Sequence, residues 1–384
     1  MTTLQQATFK KNAHINYFLR CLRALPSSAQ ENDCNRITIA YFCIAALDLL
    51  GVLYEKTTEE QRNGWIEWIW SLQARRIDFA ATGGFQGSTF MTTSVRQINP
   101  TTAPAHLPST YTALLCLALL RAPLDRLNRP GLVAFIKSCQ ADSGSFSPLS
   151  GDEYILDGFQ SDARMAYVAC VISHIICDFS GIDIPQLKEW IKRCRTWEGG
   201  YASRPGVIEA QGGTTYCCLA ALALVNDNRL GKPVVQSDEN NSTIVRWLVS
   251  RQIGGFQGRP GKLEDACYSF WCKGALNIMG HTDLINHESD KIFLLSAQFP
   301  LGGFGKEPED YPDPYHSYLA LAALSLSQDI SSSELAPLAN EPVDNREQLK
   351  ILESGLDLKK LDVGWNVSRD TADWLSKEIS KIKR

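Results

Sequence analysis

Two short segments of the chain carry residue types that bind metal ions. Asp265 and Cys267 are separated by one residue, and His316 ends the segment Asp313-Pro-Tyr-His316. A carboxylate, a thiolate and an imidazole together form a three-ligand set for zinc, and a zinc ion with three protein ligands keeps one position open, as catalytic zinc sites do. The three residues therefore predict a catalytic zinc site.

Each of these residues also has a simpler interpretation. Asp265 can cap a helix, Cys267 can be one of the chain's twelve cysteines buried as a core thiol, and His316 can be a helix-start histidine bonded to the backbone. Both segments, however, lie between a Gly-Gly-Phe loop and an apolar helix, at the same place in two copies of a repeat. This shared position favours the metal site.

The repeat that positions the two segments is visible along most of the chain. A glycine-rich loop with an aromatic residue recurs five times, at intervals of roughly 48 to 61 residues. The five loops are Gly83-Gly84-Phe85, Gly144-Ser145-Phe146, Gly199-Gly200-Tyr201, Gly254-Gly255-Phe256 and Gly302-Gly303-Phe304. An apolar helix rich in small residues is predicted after each loop, so the unit is helix, loop, helix.

The two helices of a unit differ in character, and this difference predicts the fold. Residues 184–195 and 243–252 combine charges with apolar stripes, whereas 111–120, 215–225 and 316–326 are nearly free of charge and must be buried. A further pair, 14–25 and 37–50, brings the number of units to six. Six amphipathic outer helices around six apolar inner ones predict an all-α fold, an α/α toroid (α6/α6 barrel) with both metal-binding segments at starts of inner helices.

We expect one barrel domain to span residues 1–384. Segments 226–241 and 329–362 are rich in Asp, Glu, Ser, Asn and Pro and are predicted to be surface excursions. A terminal helix is predicted over 368–383, with Ser368 or Asp370 as its N-cap.

Composition excludes several classes of protein. The 384 residues have 44% hydrophobic content, a net charge of -4 and no basic block, which argues against a nucleic-acid partner. Apolar runs reach only about ten residues, below the roughly 18 of a membrane span. Because the N-terminus does not resemble a signal peptide, the twelve cysteines are interpreted as reduced thiols of a soluble, cytoplasmic protein.

Positive residues cluster along the sequence beside the predicted metal site. Arg259 and Lys262 precede Asp265, Lys306 precedes His316, and Arg164 begins another inner helix. Such a cluster near a dication favours a phosphate or diphosphate ligand. Solvated surface charge is the alternative interpretation.

Aromatic residues on the inner helices supply a third element. Phe42, Tyr111, Tyr167 and Trp271 all fall on these helices. Aromatic residues on inner helices are often only core, but a lumen wide enough for a ligand needs an apolar wall. An apolar wall next to an anion site suits a prenyl diphosphate.

Three stretches of this sequence resemble a known family. Residues 258–271, 302–306 with 312–316, and 209–214 are similar to the β subunits of protein prenyltransferases, and most similar to those of type I geranylgeranyltransferases. The resemblance runs from about His14 to residues 366–368. It implies an α/α toroid, one zinc ion on Asp265, Cys267 and His316, and a partner α subunit of helical-hairpin repeats.

The resemblance also implies a reaction and its substrates. A geranylgeranyl group would pass from geranylgeranyl diphosphate to the cysteine of C-terminal CaaX proteins in which X is Leu or Phe, such as Rho-type small GTPases. Thr38 matches a small residue that replaces a farnesyltransferase tryptophan, which leaves room for a 20-carbon chain. Lys306 matches a lysine that takes the place of a diphosphate-bound magnesium ion, so Mg²⁺ would not be required.

Further roles follow from the same resemblance, residue by residue. Tyr268 and Lys306 would stabilise the leaving group, and Gln211 stands where the family usually has a histidine that contacts the diphosphate; its amide can donate a hydrogen bond but carries no charge. The predicted diphosphate contacts are Arg259, Lys262, Tyr268, Gln211 and Lys306. The predicted isoprenoid contacts are Thr38, Phe42, Tyr111, Arg164, Tyr167 and Trp271. The predicted peptide contacts are His106, Met165 and Tyr315.

Other functions remain open on the same residues. Farnesyltransferase and Rab geranylgeranyltransferase β subunits share the zinc residues, and a non-catalytic toroid that acts as a binding module is a further alternative. An α/α-barrel glycosidase is disfavoured because no pair of carboxylates stands at the inner-helix starts. A terpene cyclase is disfavoured because no Asp-rich motif is present.

Overall fold

The described part of the chain is built almost entirely from helices. A computed structural model describes residues 8–74, 83–89, 105–150, 161–226, 239–327 and 356–382. Its α-helices are α1 (Lys11–Arg23), α2 (Arg36–Leu49), α3 (Leu53–Lys56), α4 (Glu59–Ser71), α5 (Leu107–Leu119), α6 (Arg129–Cys139), α7 (Ala163–Ile175), α8 (Ile184–Arg193), α9 (Gly212–Val225), α10 (Glu239–Val249), α11 (Ala266–Met279), α12 (His287–Ser296), α13 (Pro314–Leu326) and α14 (Arg369–Ile382). Two short strands, β1 (Leu361–Asp362) and β2 (Val367–Ser368), pair antiparallel near the C-terminus.

Six of these helices form a closed inner ring. Each inner helix packs against the next, and the last packs back against the first. The order around the ring is α2, α5, α7, α9, α11, α13. Outer helices α1, α4, α6, α8, α10 and α12 each pack on the inner helix of their own repeat. The α/α toroid predicted from the repeat is confirmed.

Side-chain size and charge explain which helices lie inside. Helix α9 has the sequence GGTTYCCLAALALV, whose small residues let neighbouring helix axes approach closely on both sides. Helix α8 instead buries one stripe, Leu187, Trp190 and Ile191, and directs its charged residues to solvent. An α-helix that is apolar all round must be buried, so α9 belongs to the inner ring.

The glycine-rich loops join neighbouring repeats. Gly144 and Gly302 have φ values of 89° and 93°, which glycine adopts without steric cost. A Cβ at Gly144 would lie 2.2 Å from the carbonyl oxygen of Gln186 on α8, and a Cβ at Gly302 would lie 2.0 Å from that of Ala13 on α1. Glycine at these two positions therefore lets each of the two loops contact the backbone of the next outer helix.

The first repeat closes the ring against the last one through His14. The buried imidazole stacks on the ring of Phe304, with centroids 4.4 Å apart and an interplanar angle of 1°. Its Nδ1 accepts a hydrogen bond from the N–H of Gly303 at 3.0 Å, and its Nε2 lies 3.0 Å from Oε1 of Gln298. Both ring nitrogens are thus used to join α1 to the loop between α12 and α13.

A layer of aromatic side chains crosses the barrel one turn below the starts of the inner helices. The fifth residue of five inner helices is aromatic, and α2 has its tyrosine at the sixth position. The layer consists of Tyr41, Tyr111, Tyr167, Tyr216, Phe270 and Tyr318. Neighbouring rings contact one another at centroid distances of 5.3 to 6.0 Å.

The C-terminal hairpin fills the barrel beneath this layer. All five tyrosine hydroxyls donate hydrogen bonds, at 2.5 to 2.9 Å, to four consecutive carbonyls of the hairpin turn. Tyr41 and Tyr318 bond to Asn366, Tyr111 to Trp365, Tyr167 to Gly364 and Tyr216 to Val363. The turn's carbonyl groups are thereby satisfied inside the barrel.

This hairpin corrects the predicted boundary of the second polar excursion. Leu356, Leu358 and Leu361 are buried, and Lys359 contacts the buried carboxylate of Asp48 on α2 at 2.7 Å. Residues 356–362 are therefore part of the barrel and not a surface excursion. Their charges alternate with leucines, which places the apolar side chains on one face of an extended segment.

The remaining boundary predictions have mixed outcomes. Residues 227–238 and 329–355 of the two excursions lie outside the described residues, while 239–241 belong to helix α10 and not to the first excursion. The terminal helix is present as α14, which begins one residue later than predicted, and residue 383 lies outside the described residues. Its N-cap is Ser368, whose hydroxyl accepts from the N–H of Thr371 at 3.3 Å.

Candidate metal centre and ligand-binding site

The three predicted metal ligands converge at the starts of two adjacent inner helices. One ligand atom each from Asp265, Cys267 and His316 lies within 4.8 Å of the other two. Asp265 precedes α11 and caps it by accepting from the N–H of Cys267 at 2.9 Å. The Nε2 atom of His316 lies 3.5 Å from Oδ1 of Asp265. This separation lets one ion contact all three side chains.

Asp313 orients the histidine of this cluster. Its carboxylate caps α13 by accepting from the N–H of His316 at 2.9 Å, and its second oxygen lies 2.5 Å from Nδ1 of the same residue. A carboxylate on one imidazole nitrogen fixes the tautomer and leaves the other nitrogen for a metal ion. His316 therefore presents Nε2 toward Asp265 and Cys267.

The electrostatics of the cluster favour a cation. Burial, together with the nearby carboxylate of Asp265, raises the pKa of Cys267 well above its usual range. Burial lowers the pKa of His316, but the hydrogen bond to Asp313 and the charges of Asp313 and Asp265 outweigh it and raise the pKa overall. Two buried acidic groups side by side are costly without a positive charge to offset them. A divalent ion would supply that charge, so the residues fit a zinc site.

The predicted anion-binding residues surround the same end of α11. Arg259 pairs with the carboxylate of Glu209, and both side chains are about two-fifths exposed. The side chains of Lys262 and Lys306 are exposed, and the carbonyl of Lys306 accepts from the N–H of Ala266 at 2.8 Å. The two lysines are thus held in loops on either side of the start of α11.

Gln211 and Tyr268 meet in the middle of this positive region. Nε2 of Gln211 donates to the Tyr268 hydroxyl at 2.6 Å. The Tyr268 ring lies between the backbones of Gly212 and Gly258, which are joined by a hydrogen bond of 2.9 Å from N–H to carbonyl. The predicted diphosphate contacts therefore come from the loops before α9, α11 and α13 and, for Tyr268, from the first turn of α11.

Part of the predicted isoprenoid wall is continuous with the metal cluster. Trp271 donates from Nε1 to the hydroxyl of Tyr315 at 3.2 Å, and the ring of Phe42 packs edge-on against Tyr315 with centroids 5.5 Å apart. Thr38 precedes Phe42 by one turn of α2, and all four side chains are partly exposed. They line the inner face of the ring beside His316.

Three other predicted contacts lie in different surroundings. Tyr111 and Tyr167 belong to the buried aromatic layer, so they can offer only ring surface because their hydroxyls bond to the C-terminal hairpin. Arg164 pairs with Asp162 at 2.6 Å, and its side chain is 69% exposed. Its guanidinium is thus in a wet, charged environment and not within an apolar wall.

The remaining predicted peptide contacts lie at the same end of the ring. His106 precedes α5, and burial lowers its pKa to about 4, so it is neutral at physiological pH. Met165 is buried in the first turn of α7. Tyr315, on α13, is the one in contact with Phe42 and Trp271.

Sequence reasoning missed some residues of the site and its floor. Asp313 was identified only as part of its segment, although an Asp three residues before a His at a helix start is a signal for a cap that also reaches the ring. The ion pair between Glu209 and Arg259 was not predicted. On α2, Phe42 was assigned to the wall, but its neighbour Tyr41, which completes the aromatic layer, was overlooked.

Comparison with known proteins identifies related sequences. The family described as prenyltransferase alpha-alpha toroid domain matches residues 9–363. The chain is 32% identical over 352 residues to the Arabidopsis thaliana protein named geranylgeranyl transferase type-1 subunit beta, covering 88% of this chain and 90% of that protein. It is also 32% identical over 345 residues to the protein of the same name from Dictyostelium discoideum, covering 84% and 92%.

A solved structure extends this similarity to the fold. The chain is similar to Candida albicans protein geranylgeranyltransferase-I complexed with GGPP, with a TM-score of 0.76 and 27% sequence identity. The match covers 97% of this chain and 99% of that chain. Within the described residues, no helix is both long and apolar enough to cross a membrane.

Proposed function

The chain belongs to the prenyltransferase family with an alpha-alpha toroid domain, and from this we propose that it is the catalytic β subunit of a zinc-dependent type I protein geranylgeranyltransferase. The observation that carries the proposal is the convergence of Asp265, Cys267 and His316 at one end of the barrel, beside a cationic region and a partly exposed aromatic wall. Metal, anion and apolar sites in this order suit a thiol acceptor and a prenyl diphosphate donor.

In the proposed reaction, a geranylgeranyl group passes from its diphosphate to the cysteine thiol of a C-terminal CaaX protein. A carbon–sulfur bond forms as the bond between C1 and the diphosphate oxygen breaks, and the thiol proton is released to solvent. A zinc ion held by Asp265, Cys267 and His316 would lower the pKa of a bound thiol, which is about 8.5 when free. Asp313 would hold His316 in the tautomer that binds the ion.

The cationic residues would act on the leaving group. Negative charge grows on the diphosphate as the bond to C1 breaks, and fixed donors aimed at that charge lower the barrier. We assign this role to Arg259, Lys262, Lys306 and the hydroxyl of Tyr268. Lys306 would supply the charge that a magnesium ion supplies elsewhere, so magnesium would not be required.

The aromatic wall would hold the isoprenoid. Thr38, Phe42 and Trp271 line the inner face next to His316, and the rings of Tyr111 and Tyr167 would form the floor of the pocket. The small side chain of Thr38 would leave space for a 20-carbon chain. Arg164, at the mouth, would meet the polar end of a ligand, and His106, Met165 and Tyr315 would contact the end of the peptide.

A band of exposed apolar side chains supports the proposal that the chain binds a partner subunit. Three consecutive repeats each place two such residues, 67% to 85% exposed, in the loops at the metal-site end of the barrel. This rim consists of Trp197, Ile208, Ile253, Leu263, Leu301 and Tyr311. Exposed apolar surface of this kind marks protein interfaces, and we assign the rim to a prenyltransferase α subunit.

The rim can be tested by co-purification with a tagged α subunit. Leu263→Asp should weaken recovery of the complex because it buries a charge in the interface. Leu284→Asp is the matched control, since Leu284 is also exposed but follows the far end of α11. Equal recovery of both variants would remove the rim from the interface.

Twelve free cysteines support activity in a reducing compartment, which we propose to be the cytoplasm. The protein substrates we propose are CaaX proteins ending in Leu or Phe, such as Rho-type small GTPases.

The test of the proposed function is a competition assay on the chain co-expressed with an α subunit. Geranylgeranyl and farnesyl diphosphates are offered with peptides ending in Cys-a-a-Leu or Cys-a-a-Ser, in the absence of magnesium. Geranylgeranyl transfer to the Leu peptide is expected. Farnesyl transfer to the Ser peptide would contradict the type I assignment, and zinc binding without any transfer would indicate a binding module.

A further inference from the structure

The Tyr268 side chain, in the first turn of α11, packs closely against the backbones of two glycines. A Cβ at Gly258 would lie 2.3 Å from Cζ of Tyr268, and a Cβ at Gly212 would lie 3.0 Å from its Cδ1. The two glycines thus form a slot that no larger residue could form without displacing the ring. The hydroxyl of Tyr268 is consequently fixed in position.

The direction of the hydroxyl proton is set by Gln211. Nε2 of the Gln211 amide donates to the Tyr268 oxygen at 2.6 Å, so the tyrosine accepts in this contact and its own proton points elsewhere. The amide oxygen of Gln211 lies over Gly213 in the first turn of α9, 3.9 Å from where a Cβ of that residue would be. A helix start carries unpaired N–H groups and a partial positive charge. The positive end of α9 therefore favours the orientation in which the amide oxygen of Gln211 faces the helix and its nitrogen faces Tyr268.

Tyr268 remains a proton donor in these surroundings. A phenolic hydroxyl carries one proton in addition to its acceptor lone pairs, so it can accept from Gln211 and still donate to another group. Arg259 directly follows Gly258 in the sequence, and its side chain pairs with Glu209, which precedes Gln211 by two residues. One loop thus makes both contacts: Gln211 binds Tyr268, and Glu209 pairs with Arg259.

We propose that Gln211 is a positioning residue that acts through Tyr268: it holds the tyrosine hydroxyl so that its proton is directed at the leaving diphosphate, and it does not itself contact the diphosphate. The inference rests on the proposed function. It assigns Gln211 a different role from a direct diphosphate contact, because its amide nitrogen is bonded to the tyrosine oxygen and its amide oxygen, which cannot donate to a phosphate, lies beside the start of α9.

A double-mutant cycle separates the two roles. The four proteins are the wild type, Gln211→Met, Tyr268→Phe and the double variant, each with the α subunit, and kcat and KM for geranylgeranyl diphosphate are measured. Tyr268→Phe should lower kcat about 10- to 100-fold because it removes a hydrogen bond to a charged group, and Gln211→Met should lower kcat about 2- to 10-fold. The double variant should match Tyr268→Phe alone.

Two further variants control for folding. Gln211→His keeps an N–H donor and should restore kcat to within about threefold of the wild type, which a purely structural loss would not allow. Gln186→Met changes an exposed glutamine on α8 in the same way and should alter neither constant. If the two single effects multiply in the double variant, or if Gln211→Met has no effect, the positioning role is wrong.

Binding of inorganic pyrophosphate to the same four proteins, measured by calorimetry, provides a second cycle that does not depend on transfer. The double variant should again lose no more affinity for pyrophosphate than Tyr268→Phe alone. If the wild type transfers no isoprenoid, the proposed function is wrong, but the pyrophosphate-binding cycle still tests the role of Gln211. If the losses of pyrophosphate affinity in the two single variants multiply in the double variant, the positioning role is wrong.

Discussion

The carboxylate of Asp313 contacts His316 twice, once at the backbone N–H at 2.9 Å and once at Nδ1 at 2.5 Å. One side chain therefore both starts helix α13 and selects the nitrogen that the imidazole presents to Asp265 and Cys267. Helix formation and the geometry of the metal centre are coupled through a single residue.

We expect Asp313→Ser to weaken zinc binding about 10- to 100-fold, the usual effect of losing a carboxylate behind a ligating histidine. Serine still caps the helix but is too short to reach the ring. The measurement is zinc affinity by competition with a chelating dye. Asp162→Ser, the same change at the cap of α7, is the control. Unchanged affinity in Asp313→Ser would show that the contact does not orient His316.

Thr38→Trp is expected to change the preferred isoprenoid from geranylgeranyl to farnesyl. The indole would fill space on the inner face beside Phe42, and overpacking costs about 1–3 kcal/mol, so the ratio of kcat/KM values should shift roughly 10- to 100-fold. Ile39→Trp is the matched control, because Ile39 lines a separate pocket of about 580 Å³ with Trp65 and Trp68. An unchanged ratio in Thr38→Trp would remove Thr38 from the isoprenoid wall.

Removing one hydroxyl from the aromatic layer should destabilise the protein. Tyr216→Phe leaves the carbonyl of Val363 without its 2.6 Å donor inside the barrel, and an unsatisfied buried polar group costs about 1–3 kcal/mol. Urea unfolding measures the loss. Tyr311→Phe, at a residue that is 84% exposed, is the control. Equal stability of the two variants would mean that the hairpin is not held by the layer.

The closure of the ring through His14 predicts a dependence of stability on pH. Burial lowers the pKa of His14 to about 4 from an ordinary value near 6.5. Between pH 6.5 and pH 4 the imidazole binds a proton in the unfolded state but not in the folded state. The contribution of His14 to the free energy of unfolding is therefore complete above pH 6.5 and decreases as the pH falls toward 4.

Between pH 7.5 and 5.5, His14 alone should account for a loss of about 1 kcal/mol in the free energy of unfolding. His106 and His287, whose pKa values burial also lowers to about 4, add to the total. The contribution of His14 is the difference in pH dependence between the wild type and His14→Gln, with His281→Gln at an exposed histidine as the control. A pH dependence unchanged by His14→Gln would contradict this account.

The sequence predicted the toroid because its signals are local. Small apolar residues on α9 and the charged stripe of α8 distinguish inner from outer helices, and the recurring glycines mark the loops. The starts of the helices then bring Asp265, Cys267 and His316 to one end. Each of these features can be read from a short stretch of chain and its copies.

Contacts between distant parts of the chain could not be predicted in the same way. The pairing of five tyrosines with residues 363–366 depends on where the C-terminus enters the barrel, which no local pattern states. Tyr41 and Phe42 are adjacent aromatics on a helix that is apolar all round, so the sequence does not indicate which one faces the layer. Residues 356–362 were predicted to be part of a surface excursion because they are rich in charge, although their leucines are buried.

The central claim, that Asp265, Cys267 and His316 hold a catalytic zinc ion, is tested most directly by measuring bound zinc and geranylgeranyl transfer in Cys267→Ala and Cys272→Ala. Both cysteines are buried on α11, but only Cys267 lies in the cluster. We predict that Cys267→Ala loses stoichiometric zinc and transfer, whereas Cys272→Ala keeps both. Full transfer by Cys267→Ala without bound zinc would contradict the account.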